Sequence, residues 1–466
     1  MFSNTISKIS LAALAVVLLA TGCRKRDALL PDTLINFETT QQGITAAEDS
    51  IVVQLVLNRA EQTSLNVEVE VQEKGLVYGN SYRTNPATVN GKINIQVAAG
   101  QQSVNFTVYK TRGVYYYGDE QLSFSLTKNP LPAFLGVRKN FSLDFAELIA
   151  QGSSSVINGG GALFPNKVFI DLSANRATAV NRNNWDLGFY CGGDDFRVIL
   201  NSSSAMMAKQ LAKTDITQVS TADTVGLSTL VAFSLYSPTA AQLPFIDYPN
   251  GDLTRTAIAA VSEDPAQNKV YIVNRGTGPG NPAPARGWKK IRVLREGNGY
   301  KIQYADLSST TFQEMVIPKE DAYHFTFLSF ESGRLKVDPE KKKWDLAWTY
   351  FSNVSNFGAG EVPYLFQDIV LLNRGVQAVR VMSSVKSFDA FGEADLAGLT
   401  FSSSQTAIGA DWRSGGGPGS APAVRTDRYY IVKDPGNNYY KVRFTALTQN
   451  GERGYPAYEA VLVKKG

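Results

Sequence analysis

The sequence predicts an all-β protein, an N-terminal β-sandwich followed by two tandem copies of a β module. Three observations carry this. Apolar residues alternate with polar ones along most of the chain, the period of two that half-buries a strand. Gly, Asn and Pro turns separate these short runs at even spacing. In the second part of the chain, two separated motifs recur at one offset of 159 residues, which indicates duplication.

The N-terminus comes first. Lys8 ends a short polar region, and an apolar run follows from Ile9 to Ala20. That run is too short to span a bilayer as a helix of about 20 residues, but it suits the core of a secretory signal. It stops at Ala20-Thr21-Gly22-Cys23, which resembles a lipobox, with Ala20 where Leu is more usual. Residues 1–22 are therefore expected to be a signal peptide, with Cys23 lipidated and the membrane reached through that lipid. The alternative is an ordinary cleavable signal with an incidental cysteine.

Charge and cysteine usage narrow the function classes. Cleavage would remove Lys8 and no acid, leaving 45 of the 46 basic residues against 42 acids, a net +3. So small a charge gives no long-range field for nucleic acid, and no nucleic-acid partner is expected. Arg24-Lys25-Arg26 reads as a solvated tether. Cys191 is the only other cysteine, so a lipidated Cys23 leaves no intramolecular disulfide. The length allows about three domains.

Residues 34–147 form the first. Leu65, Val67, Val69 and Val71 alternate with Asn66, Glu68, Glu70 and Gln72, and further runs follow at Ile93–Val97, Val104–Val108, Leu122–Leu126 and Phe141–Phe145. Such a series is a sandwich pattern. Phe37-Glu38, Glu48-Asp49-Ser50 and Gly118-Asp119-Glu120 ahead of Leu122-Ser123-Phe124 give the domain a resemblance to Calx-β sandwiches. Calcium-binding members use acidic loops, since a hard cation takes several oxygen ligands. Here Ser81-Tyr82 replaces the family's Asp-Tyr, leaving Glu38, Glu48, Asp119 and Glu120 as a thin set. These are read as solvated loop carboxylates, and calcium is not expected. The polar, Gly-rich stretch from Gln151 to Gly161 reads as a linker.

The duplicated part follows. Trp185-Asp186-Leu187-Gly188-Phe189 recurs as Trp344-Asp345-Leu346-Ala347-Trp348, and Val270-Tyr271-Ile272-Val273 as Tyr429-Tyr430-Ile431-Val432. Lys290-Ile291-Arg292-Val293 matches Lys441-Val442-Arg443-Phe444 once the extra loop Gly276–Gly287 is allowed for. The modules are 164–306 and 324–464. Two copies at this spacing do not make a WD-repeat propeller, whose repeats run about 40–45 residues. Trp185, Leu187 and Phe189 are expected on one strand face, as are Trp344, Leu346 and Trp348, with each Asp bonded to a nearby turn.

Most catalytic schemes fail on composition, and no enzyme activity is expected. With His324 as the sole histidine, a two-histidine metal site is impossible. Gly276, Gly278 and Gly280 suggest a dinucleotide loop, but Pro282 and Pro284 remove the helix that must follow. The loop reads as surface, as does the turn bearing Asp194-Asp195.

The strand Val168-Phe169-Ile170-Asp171-Leu172, the Trp-Asp-Leu segment and the late strands around Tyr271 and Ile291 resemble the HmuY family. The resemblance implies a haem-capturing lipoprotein on the outer membrane of a Gram-negative bacterium, with an outer-membrane receptor as partner. Family members hold haem iron with two histidines, and some relatives with two methionines. Here Tyr190-Cys191 and Thr349-Tyr350 stand where histidine is expected. The resemblance therefore points to haem or a related apolar ligand, with Met206 and Met207 as candidate iron ligands. Tyr190, Cys191 and Met382 come next, and His324 reads as structural. Lys290 and Arg292, on one strand face, are candidates for an anionic group of the ligand, with a solvated sheet edge as the plainer reading. The alternative function is an envelope interaction, adhesion or receptor-accessory protein that has lost haem.

Overall fold

The computed structural model describes residues 32–44, 48–112, 114, 120–145, 152–234, 237–416 and 421–466. Cys23 and Asp119 lie outside these residues. The regular structure of the described chain is β-strand apart from short 3-10 turns, and no helix is long and apolar enough to cross a membrane.

The N-terminal domain is a sandwich of two five-stranded sheets. In one, Ser50–Leu57 lies between Leu34–Phe37 and Ser103–Lys110; in the other, Gln121–Leu126 lies between Leu65–Lys74 and Asn140–Asp144. Alternation decides the faces. Leu65, Val67 and Val69 are buried while Asn66 is exposed, and Phe37, Phe106, Phe124 and Phe141 meet at the centre of the core.

Four sheets stack behind it. The first outer sheet runs Gly152–Val156, Glu452–Lys464, Tyr439–Gln449, Arg428–Lys433, Gln377–Met382. The second outer sheet runs Met207–Gln210, Val270–Asn274, Trp288–Glu296, Gly299–Asp306, Gln313–Ile317. Between them lie two four-stranded sheets, and these are shared. Asn166–Asp171 pairs with Leu346–Asn356, Val168 opposite Trp348 and Ile170 opposite Leu346. Leu187–Tyr190 pairs in the same way with Phe325–Ser329, Leu187 opposite Leu328. Both Trp-Asp-Leu strands thus pair with a strand from a distant part of the chain.

The inner strands are buried on both faces, which their nearly continuous apolar runs require. Val168, Ile170, Leu346 and Trp348 face one outer sheet; Leu187, Phe189 and Leu328 face the other. Phe169, Trp185, Phe327, Trp344, Ala347 and Phe351 fill the space between the two inner sheets.

Three expectations are corrected. Residues 152–161 are not a linker: Gly152–Val156 is an edge strand on Glu452–Lys464, and a Cβ on Gly159 would stand 2.2 Å from the Trp348 ring. Serines at a sheet edge look like linker in composition because one side of the strand meets water. Second, strands pair across the ranges 164–306 and 324–464, Asn166–Asp171 with Leu346–Asn356 and Leu187–Tyr190 with Phe325–Ser329, and Gln313–Ile317 adds to a sheet of the first beyond 306. Third, Trp185 and Trp344 do not share a face with Leu187 and Leu346. Both tryptophans precede the first strand residue, so the strand's alternation does not reach them.

Candidate functional site

A cavity of about 90 Å³ lies between the two inner sheets, lined by Trp185, Trp344, Phe325, Phe327, Phe351 and His324 among others. Its aromatic walls are built by this pairing of distant strands. Trp185 meets Phe327 edge-on with centroids 4.7 Å apart, and Trp344 meets Phe169 in the same way at 5.0 Å. Gly251, Asp252, Leu372, Asn373, Arg374 and Gln405 line both this cavity and an outer cleft of about 540 Å³. The outer cleft is walled mainly by polar groups, Asn250, Asn373, Ser403 and Ser404 among them.

The polar groups facing this space are distinctive. His324 Nε2 is buried without a hydrogen-bond partner, and the imidazole lies against the Arg374 backbone. Burial, helped by the positive charges of Arg374 and Lys341, pushes the imidazole down to about 4. His324 is therefore neutral at pH 7, with Nε2 unpartnered. The indole Nε1 atoms of Trp185 and Trp344 are also buried without partners. Asp247 accepts the amides of Leu200 at 2.6 Å and Ala257 at 2.9 Å, and burial raises it to about 7. Asp338 lies 3.5 Å from Lys167, whose ammonium sits over the Phe169 ring.

Each half anchors its Trp-Asp-Leu turn with an asparagine. Asn201 Nδ2 donates to the carbonyls of Arg182 and Trp185; Asn373 Nδ2 donates to those of Lys341 and Trp344. Asn373 thereby fixes Arg374, the next residue, at the mouth of the cavity. The repeated Leu200-Asn201 and Leu372-Asn373 pairs were a visible signal for this turn. Their offset differs from 159 because the preceding hairpin is longer in the second half, and so they escape a fixed-offset comparison.

The residues singled out from sequence lie elsewhere. Met206 is buried among Leu187, Phe189 and Tyr271, and Met207 packs in a different cluster with Val231 and Ile246. Neither lines the cavity. Lys290 is not at a sheet edge or on an open face: its ammonium is buried and donates to the carbonyls of Val219 at 2.6 Å and Ser309 at 2.7 Å. Arg292 donates to Asn268 and Pro265 carbonyls. The matching Lys441 donates to the Phe388 and Phe391 carbonyls, so both lysines hold loop backbones in place. Cys191 is buried and lies 3.4 Å from the Thr326 hydroxyl. The Tyr190 ring meets Phe325 at a tilt with centroids 5.6 Å apart, and Met382 ends a strand of the first outer sheet.

The acidic residues of the sandwich are engaged. Glu48 lies 3.2 Å from Arg176 and 3.9 Å from Lys343, tying the sandwich to the stacked sheets. Glu38 is raised to about 7 by burial despite Arg138 nearby, and Glu120 is buried. These are not solvated loop carboxylates. Among the described residues, no group of three or more His, Cys, Asp or Glu side chains is placed to hold a metal ion. The Gly276–Gly287 loop is not loose surface either. It carries Arg286 onto Asp186, and a Cβ on Gly276, at φ +68°, would stand 1.8 Å from the Ser204 carbonyl.

Four stacked β-sheets with an aromatic-lined cavity between the inner two define an all-β fold. The chain belongs to the HmuY protein family, whose model matches residues 164–459. That family is one of binding proteins rather than enzymes. Among solved structures, the chain is similar to the apo form of the Calx CBD1 domain, at 16% identity and TM-score 0.22, covering 25% of this chain and 97% of that one. It is also similar to the calcium-binding domain CBD12 of CALX1.1, at 9% identity and TM-score 0.21, covering 62% and 83%. The E. coli chaperone DraB is a further neighbour, at 10% identity and TM-score 0.17, covering 31% and 80%. No curated protein matches the chain.

Proposed function

We propose that this protein is a non-catalytic, lipid-anchored envelope protein that takes haem or a related apolar ligand into its outer cleft, against the aromatic cavity between its inner sheets. The observation that carries the reading is His324: a neutral imidazole with a bare Nε2, set in an aromatic cavity that joins an outer cleft of about 540 Å³. Small-molecule sites span roughly 300–1,000 Å³, and the outer cleft falls in that range. Haem here is cargo, and His324 replaces Met206 and Met207 as the side chain that would meet its iron. Titrating purified mature protein with haemin tests this. A Soret shift supports the reading, and its absence in both redox states transfers the protein to the envelope-interaction class.

The same proposal places Cys23 in the outer membrane of a Gram-negative bacterium, with a membrane receptor as partner. It also takes 164–306 and 324–464 as two copies of one module that exchanged opening strands. Support comes from the matched order of the sheets, the paired Trp–Phe contacts and the two anchoring asparagines.

A further inference from the structure

We infer that the ligand of this cleft is an apolar body carrying a carboxylate, and that Arg374 is the residue that recognises the carboxylate. The inference rests on the cleft being the binding site and adds the ligand's charge and the residue that recognises it.

Arg374 lines both the inner cavity and the outer cleft, so a group bound at the mouth meets it. Its guanidinium donates through Nη1 to the Gly251 carbonyl at 2.9 Å and lies 5.3 Å from the Tyr190 ring centroid. Among the described residues it has no carboxylate partner within ion-pair distance. Some arginines of the stacked sheets do, Arg275 and Arg286 sharing Asp186 and Arg413 and Arg453 sharing Asp368, while Arg182 and Arg292 spend their donors on backbone carbonyls. A guanidinium presents five N–H donors in a planar fork that matches a carboxylate, and one contact to Gly251 leaves most of that fork open. Asp252 also lines the mouth, but its Oδ1 is held by the Thr254 amide and hydroxyl, where it caps a turn.

The inner walls set the rest of the ligand. Phe325, Phe327 and Phe351 offer apolar surface, and the unpartnered indole donors of Trp185 and Trp344 favour a ligand with hydrogen-bond acceptors over one with donors. Haem propionates and small aryl-alkyl carboxylic acids share this chemistry, and experiment separates them.

The test uses full-length mature protein and two matched pairs of probes: haemin with its dimethyl ester, and 3-phenylpropionate with its methyl ester. Binding is followed by quenching of tryptophan fluorescence and by calorimetry, with circular dichroism checking the fold of each variant. The expected result is that at least one free acid binds more tightly than its ester, on the order of tenfold to a hundredfold. Arg374→Gln should erase that preference, and Arg374→Lys should restore part of it. If the haemin pair shows the preference, the ligand is of haem size; if only the phenylpropionate pair does, it is smaller. Acid and ester binding equally, with Arg374→Gln changing neither, overturns the assignment of Arg374 and leaves the cleft as the site. Failure of all four probes to bind the unaltered protein overturns the cleft reading itself.

Discussion

Asp186 accepts a hydrogen bond from the backbone amide of Phe330 at 2.9 Å, across 144 residues of chain. Its counterpart Asp345 accepts one from the amide of Leu172 at 2.8 Å, across 173 residues. Each aspartate thus closes the end of the strand paired with its own. The two differ in what else surrounds them. Asp186 is paired with Arg275 and Arg286, both at 2.8 Å, whereas Asp345 faces Asp171 and Asp434.

That difference predicts responses of unequal size to one substitution. Asp186→Asn removes the charge that two buried guanidinium groups share, and should lower unfolding free energy by about 3–5 kcal/mol. Asp345→Asn removes a carboxyl whose charge is already disfavoured by burial and by Asp171, and should cost less than about 1 kcal/mol, because an amide oxygen still accepts the Leu172 amide. Urea unfolding of both variants checks the contrast.

The Asp345 carboxyl also gives a pH dependence. Burial, then the neighbouring Asp171, raise it well above its ordinary 3.8, and Asp434 adds to this. The folded state therefore binds the proton more tightly than the unfolded state. This contribution is complete below pH 3.8 and is lost as pH rises through the folded value. Stability of Asp345→Asn, measured by urea midpoints from pH 4 upward, should fall less with pH than that of the unaltered protein.

Lys290 is predicted to hold the 211–231 segment rather than to bind ligand. Lys290→Met leaves the carbonyls of Val219 and Ser309 without their donor, at a cost of about 1–3 kcal/mol each. Hydrogen exchange should accelerate around 216–224 while haemin affinity is unchanged. Lost affinity with unaltered exchange would return Lys290 to the binding site.

Cys23→Ala should release the protein from membranes, because the lipid is its proposed anchor. Membrane fractionation with fatty-acid labelling checks this, and a labelled, membrane-bound variant contradicts the lipobox reading.

Much of the fold was legible because burial follows side-chain period. The alternation at Leu65–Val71 fixed a strand and its faces, and the sandwich followed. Partner choice was not legible. Val168 and Ile170 read as a buried strand, but nothing local states that their neighbours are Trp348 and Leu346 rather than Leu187 and Phe189. The tryptophans misled for a related reason, since they sit in the turn before the strand. The site suffered most. Met206 and Met207 were attractive as polarizable ligands, yet the packing places them in separate clusters. His324 looked solitary only because its surroundings, Trp185, Trp344 and Arg374, are assembled from distant segments.

The central claim is that ligand binds in the outer cleft against the aromatic cavity and His324, and haemin titration of three proteins tests it most directly. The unaltered protein and the Met206→Leu, Met207→Leu double variant should show the same Soret shift, and His324→Ala should lose it while keeping its β circular dichroism. A shift that survives His324→Ala and disappears in the methionine variant would contradict the account.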